Sequence, residues 1–160
     1  FAHLTEMNLL PPQNTGAVAK PKGNKTPQKG QETFSATTPP APIPYTQRSQ
    51  NVLQTFEVNS DSLVLSFYDN GVVDGDVISV YINGQNIIDQ SKLLAVATKK
   101  TVQLKSFDAE TLELVLVAET LGDIPPNTGL LVVQDGARRY EVRFSADLQT
   151  NAVLIFKRKK

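Results

Sequence analysis

Three carboxylates fall within the eight residues Asp69-Asn70-Gly71-Val72-Val73-Asp74-Gly75-Asp76. Carboxylates at that density have two chemistries open to them. The first is ion binding. Calcium is a hard cation that takes about six to eight oxygens from carboxylates, amides and backbone carbonyls. In that reading Asp69, Asp74 and Asp76 are the metal ligands, with Asn70 or a backbone carbonyl assisting. The spacing is not that of an EF-hand, because no Asp-x-Asp-x-Asp-Gly run leads to a glutamate at the twelfth position. The second is turn chemistry, the commoner explanation: Asp and Asn bond their own loop backbone, and the glycines take left-handed positions. Paired carboxylates also serve glycoside hydrolysis when they flank the scissile bond, but these lie on one short loop.

Two strands must hold that loop. Ser62–Asp69 alternates Leu63, Leu65 and Phe67 against Ser62, Val64, Ser66 and Tyr68, the mark of a strand with one buried face. Residues 77–83 are β-branched and aromatic, which suits a pleated surface. The loop and its strands read as a central hairpin on which a sheet is built. Asn83-Gly84 supplies the positive φ of a type I′ turn, and residues 85–88 run back as a further strand.

Further strands are predicted over 52–58, 101–106, 112–119, 129–134, 139–145 and 152–157, with extended structure over 93–98. Asp135-Gly136 is a second hairpin signal, and Pro125-Pro126 marks a loop because proline cannot serve a central strand. Short strands at regular spacing, with no amphipathic helix between them, predict an all-β fold: an antiparallel β-sandwich of about seven to nine strands. The predicted core is Phe56, Val58, Leu63, Leu65, Phe67, Ile78, Val80, Ile82, Leu114, Leu116, Leu131, Val133, Val142, Phe144, Leu154 and Phe156. A one-residue slip in 77–82 would put Val77 and Tyr81 inside instead.

Eight of the ten prolines precede residue 45, among lysines (Lys20, Lys22, Lys25, Lys29) and small polar residues. Such a segment buries too little apolar surface to offset its ordering entropy. The expected organisation is therefore a disordered linker over 1–50, partly polyproline II, and a β-sandwich domain over 51–160. The more apolar start, residues 1–10, reads as the end of a preceding domain or as a short docking helix. The chain begins with Phe1 and not Met, which is expected of a processed or cut fragment whose signal peptide is already gone.

The 160 residues contain no cysteine and a single histidine, His3, in the linker. Disulfides, thiolate metal sites, a Ser-His-Asp triad and a His-ligated zinc are thereby excluded from the predicted domain. Net charge is zero, and the four lysines lack interleaved aromatics, so no nucleic-acid partner is expected. No apolar run of membrane-spanning length occurs.

Taken together and in order, YDNGVVDGDVISVYING, AETLGDIPPNTGLLVV and DGARRYEVRFSADLQTNAVLIF resemble an uncharacterised family of exported β-sandwich domains of Bacteroidota-type bacteria. The likeness spans roughly residues 60–157. Its motif positions are Asp69, Asn70, Gly71, Asp74, Gly75, Asp76, Asn83 and Gly84, then Gly122, Ile124, Pro125, Pro126, Asn127 and Thr128. The resemblance implies export to the periplasm, the outer membrane or the cell surface. If the two motif loops meet, Asp123 or Asn127 can add oxygens to the acidic loop; otherwise the second loop is a rigid crossover, the commoner case.

Three function classes follow. The main expectation is a non-catalytic module that binds a protein partner at the cell envelope. The absence of tryptophan argues against a sugar-stacking platform, although a calcium-dependent glycan-binding module is an alternative. Tyr68, Tyr81 and Tyr140 are possible anchors, and Arg138, Arg139 and Arg143 a possible basic patch; ordinary strand faces are the commoner reading of both. The other alternative is an assembly subunit of an envelope complex whose N-terminal tether is the binding element. No enzyme is expected.

Overall fold

The computed structural model describes residue 41 and residues 43–159. Residues 1–40 and 42, with His3, the four lysines and the apolar start of the expected linker, lie outside those residues. Nine strands form two sheets: β1 Ser49–Val58, β2 Ser62–Asp69, β3 Val77–Ile82, β4 Gln85–Lys92, β5 Thr98–Gln103, β6 Thr111–Thr120, β7 Asn127–Asp135, β8 Arg138–Ala146 and β9 Thr150–Arg158. The five-stranded sheet runs β1-β9-β6-β3-β4, and the four-stranded sheet runs β5-β2-β7-β8. The fold is thus the expected all-β sandwich.

The alternation read from the sequence sets which faces meet. All sixteen predicted core residues are buried, and Ile78, Val80 and Ile82, not Val77 and Tyr81, face inward. Leu93, Val102, Leu104, Leu112, Ala118, Ala146 and Ala152 complete the same cluster. Fully burying a Leu, Ile or Phe side chain is worth roughly 1.5–3 kcal/mol, so this layer between the sheets dominates the fold's stability.

Of the two expected tight turns, the first stands where the sequence puts it and the second lies one residue later than Asp135-Gly136. Asn83 (φ 47°) and Gly84 (φ 80°) join β3 to β4, as a type I′ turn requires. Between β7 and β8 the turn is Gly136-Ala137, with Gly136 at φ 58°, the glycine-first pattern of a type II′ turn.

Three expectations need correction. The acidic loop does not close a hairpin: β2 lies in the four-stranded sheet and β3 in the five-stranded one, so residues 70–76 cross between sheets. Residues 93–97 are a loop, not a strand, and residues 104–106 are a 3-10 turn after β5. The folded chain also begins before residue 51, since β1 starts at Ser49 and pairs in parallel with β9 from Ser49↔Thr150 to Val58↔Arg158.

The residues leading into β1 are anchored. The buried Arg48 guanidinium donates to the carbonyls of Ile43 (3.0 Å), Ala118 (2.7 Å) and Asp147 (3.1 Å). Burial pulls its pKa down, while Glu119, Asp147 and Tyr81 oppose the change. Tyr45 stacks on Tyr81 with ring centroids 4.1 Å apart, and together with Ile155 they cover Val115, Val117 and Val153 on the outer face of the five-stranded sheet. Asn151 donates to the Tyr45 carbonyl at 2.7 Å.

Strand directions place every loop at one end or the other. The β2–β3, β4–β5, β6–β7 and β8–β9 connections share one end, because Asp69 pairs with Gly129, Phe67 with Thr98, Asn127 with Ala146, and Val77 with both Lys92 and Thr120. This end is called the loop end below.

Candidate functional site

The β2–β3 crossover brings the three carboxylates together. Asp69, Asp74 and Asp76 each offer an oxygen, and these oxygens lie within 4.8 Å of one another. Asp69 sits at the end of β2, where its N–H donates to the Leu94 carbonyl (2.9 Å) and its Oδ1 accepts from the Gly71 N–H (2.8 Å). Its Oδ2 is shielded from solvent and has no hydrogen-bond partner. A shielded carboxylate oxygen without a donor is costly, and a bound cation would relieve that cost.

The β6–β7 loop and the start of β7 supply the donors that hold the other two. Asp76, 3% exposed, accepts from the Gly122 N–H at Oδ1 (3.0 Å) and from the Thr128 N–H at Oδ2 (3.1 Å). Asp74 Oδ2 accepts from the Ile124 N–H (2.7 Å), and the Asp74 carbonyl accepts from the Asp123 N–H (3.2 Å). Gly122 is required by this approach: a Cβ there would lie 2.5 Å from Asp74 Oδ1 and 2.8 Å from the Asp74 backbone oxygen. Burial raises the Asp76 pKa above the usual carboxylate range; the Gly122 and Thr128 N–H groups pull it down, and neighbouring Asp74 adds to the rise.

Asp69, Asp74 and Asp76 line a pocket of about 190 Å³ with Gly71, Val72, Ile124 and Thr128. Around it the surface is apolar. Six large hydrophobic side chains are exposed among the described residues, and five of them (Val72, Val73, Leu94, Val96 and Ile124) sit on the three loops 70–76, 93–97 and 121–126. The sixth, Val52, lies on β1. The Leu93 N–H bonds the Asp76 carbonyl (2.9 Å), tying the β4–β5 loop to the β2–β3 crossover.

No family model, curated protein or solved structure matches the chain. The chemistry of the site therefore rests on its own atoms. Three carboxylates in a small pocket suit a hard cation or an ammonium group.

The two motif loops do meet, but not by adding ligands. Among the described residues the acidic cluster consists of Asp69, Asp74 and Asp76 alone, so Asp123 is not part of it. Asn127 is fully buried and its Nδ2 donates to the carbonyls of Val77 (3.1 Å) and Thr120 (2.8 Å), stapling the start of β3 to the end of β6. Asn70 Oδ1 accepts from Arg143 (3.0 Å) rather than joining the cluster.

The arginines of β8 form no uniform basic patch. Arg139 pairs with Glu141 at 2.7 Å, and Arg143 reaches Asn70. The tyrosines are half-buried: Tyr81 stacks on Tyr45, and Tyr140 packs on Phe56 with centroids 4.8 Å apart. What the sequence did not reveal is the apolar rim. Val72-Val73 was visible as a hydrophobic pair in a polar loop, whereas Leu94 and Val96 were absorbed into an expected strand.

Proposed function

We propose that this chain is a non-catalytic, exported β-sandwich module that binds a protein partner at the cell envelope through its loop end. The observation that carries the binding surface is the gathering of five of the six exposed large hydrophobic residues on three adjoining loops. Clustered exposed apolar side chains mark interaction sites, whereas scattered ones do not. The non-catalytic part rests on sequence: no cysteine anywhere, and the one histidine, His3, ahead of the described sandwich. Export rests on the family resemblance and on the composition of residues 1–50.

The test compares wild type with a Val72→Asp/Val96→Asp/Ile124→Asp variant in cross-linking to envelope fractions of the producing cells. A discrete cross-linked protein band is expected with wild type and not with the variant. An identical band with both removes the loop end from the reading. A band that survives in the variant but is lost when residues 1–40 are deleted favours the tether as the binding element. Protease added to intact cells and then to cells with a permeabilised outer membrane tests export: a protein protected in both would end that part.

A second reading, calcium-dependent binding of a protein or glycan, is favoured by one observation, the shielded and unpartnered Asp69 Oδ2 among three carboxylates. Asp69, Asp74 and Asp76 would hold the ion. Thermal unfolding in about 10 mM calcium, about tenfold or more above the dissociation constants of extracellular modules, against EDTA decides it. An upward shift of several degrees that disappears in Asp74→Asn supports the ion, and superimposed melts end it.

A further inference from the structure

The loop end is apolar at its rim and acidic at its floor, and that pairing says what kind of partner segment fits. The connecting loops 70–76, 93–97, 121–126 and 147–149 carry Asp74, Asp76, Asp123 and Asp147 and contain no lysine or arginine. Asp69 adds a fifth carboxylate at the edge of the pocket. The nearby Arg143 is directed to Asn70, and the buried Arg48 is bonded to three carbonyls. The exposed Lys92 at the end of β4 opposes these five carboxylates with one charge, so an anionic partner or an anionic lipid surface would meet net like charge here. A cationic side chain would meet three carboxylates whose oxygens lie within 4.8 Å of one another.

We propose, resting on the protein-binding reading above, that the loop end docks a partner segment in which a lysine is flanked by apolar residues. The lysine ammonium is a compact charge with three donors on a long apolar stem. In the pocket its stem lies between Val72 and Ile124, and its head reaches Asp69, Asp74 and Asp76. The ammonium charge then offsets that of Asp69, whose shielded Oδ2 lacks a donor. The flanking residues cover Val73, Leu94 and Val96, of which Val96 is 77% exposed. Charge fixes the register, and the apolar rim supplies the buried area. An arginine fork is a poorer match, because its planar, paired donors suit one carboxylate at a time.

The test uses the full chain in EDTA as bait for a random peptide display library. Enriched peptides are then measured by fluorescence anisotropy. The expected consensus is a lysine between apolar residues. Replacing that lysine by norleucine, which keeps the stem and removes the charge, should weaken binding by about tenfold or more, the scale of a charge-assisted hydrogen bond. Asp74→Asn and Val96→Asp should each do the same; both sites are solvent-accessible, and a circular-dichroism melt checks that the variants fold.

Enriched peptides without lysine that still lose binding to Val96→Asp would overturn the lysine chemistry and leave the loop end as a binding surface. Peptides indifferent to both variants would overturn that surface as well. Failure of any peptide to enrich, or binding to phosphatidylserine vesicles in place of peptides, would also overturn the proposal.

Discussion

Asp76 and Asp135 are near mirror images at opposite ends of the sandwich. Both are 3% exposed. Each accepts backbone N–H groups from a distant connection: Asp76 from Gly122 and Thr128, Asp135 from Asn59 and Ser60 at 2.8–3.3 Å. Burial pushes both pKa values up, yet they end on opposite sides of the usual value. At Asp135 burial is outweighed by the Ser60 hydroxyl, the Ser60 and Asn59 N–H groups and the Arg138 guanidinium, so its pKa is lowered. At Asp76 the two N–H groups are insufficient, and Asp74 adds like charge. The same residue in the same kind of backbone cradle is a finished clamp at one end. At the other it carries a surplus of negative charge that a cation would neutralise.

That contrast can be broken by mutation. The largest expected effect is at the clamp: Asp135→Ala leaves the Asn59 and Ser60 N–H groups without their acceptor and should cost about 2–4 kcal/mol in urea unfolding. Next comes Gly122→Ala, where the new Cβ meets Asp74 side chain and backbone; about 1–3 kcal/mol should be lost, along with any calcium response.

The acid limb separates the two ends by sign. The stability from Asp135, whose folded pKa is lowered, is present above the unfolded value of about 3.9 and is lost as pH falls through the folded value. The contribution of Asp76, whose folded pKa is raised, is fully present below about pH 3.9 and is lost as pH rises through the raised value. The gap in unfolding free energy between wild type and Asp135→Ala should therefore narrow in strong acid, leaving the pH-independent cost of the lost acceptor.

The smallest expected effect is at Asp74→Asn, which keeps an oxygen for the Ile124 N–H and removes the charge that helps raise Asp76. In EDTA at neutral pH it should be more stable than wild type by about 0.2–1 kcal/mol, with the gap closing as pH falls through the raised pKa of Asp76. In calcium, if the cluster holds the ion, the order reverses.

How much of this was legible in the chain depends on the range of the interaction. Strand faces were legible because alternation is local: Ile78, Val80 and Ile82 announce their side without reference to a partner. The turns were legible for the same reason, since Asn83-Gly84 and Gly136 meet a local backbone demand. The acidic trio was visible because eight residues hold it. Which sheet each strand joins was not. A loop between two strands looks the same whether it closes a hairpin or crosses the sandwich, so residues 70–76 were read as the former. Leu94 and Val96 look like strand residues because apolarity alone does not say whether a side chain is covered. The donors to Asp76 lie 46 and 52 positions away, and those to Asp135 lie 75 and 76 away. No local pattern announces them.

The pairing of β1 with β9 bears on how the chain comes to be folded at all. β9 is an interior strand, lying between β1 and β6, and among the described strands it is made last. Ser49 meets Thr150, about 100 residues later, a delay of roughly 5–20 s at ordinary rates of synthesis. Until then the first strand has no neighbour in its sheet, and Phe56 and Val58 have no covered place to go. A chain halted before residue 150 would hold β3, β4 and β6 with an open edge, a state prone to pair with other chains. Completion of the five-stranded sheet thus waits for β9, and the first strand cannot dock until β9 has been made.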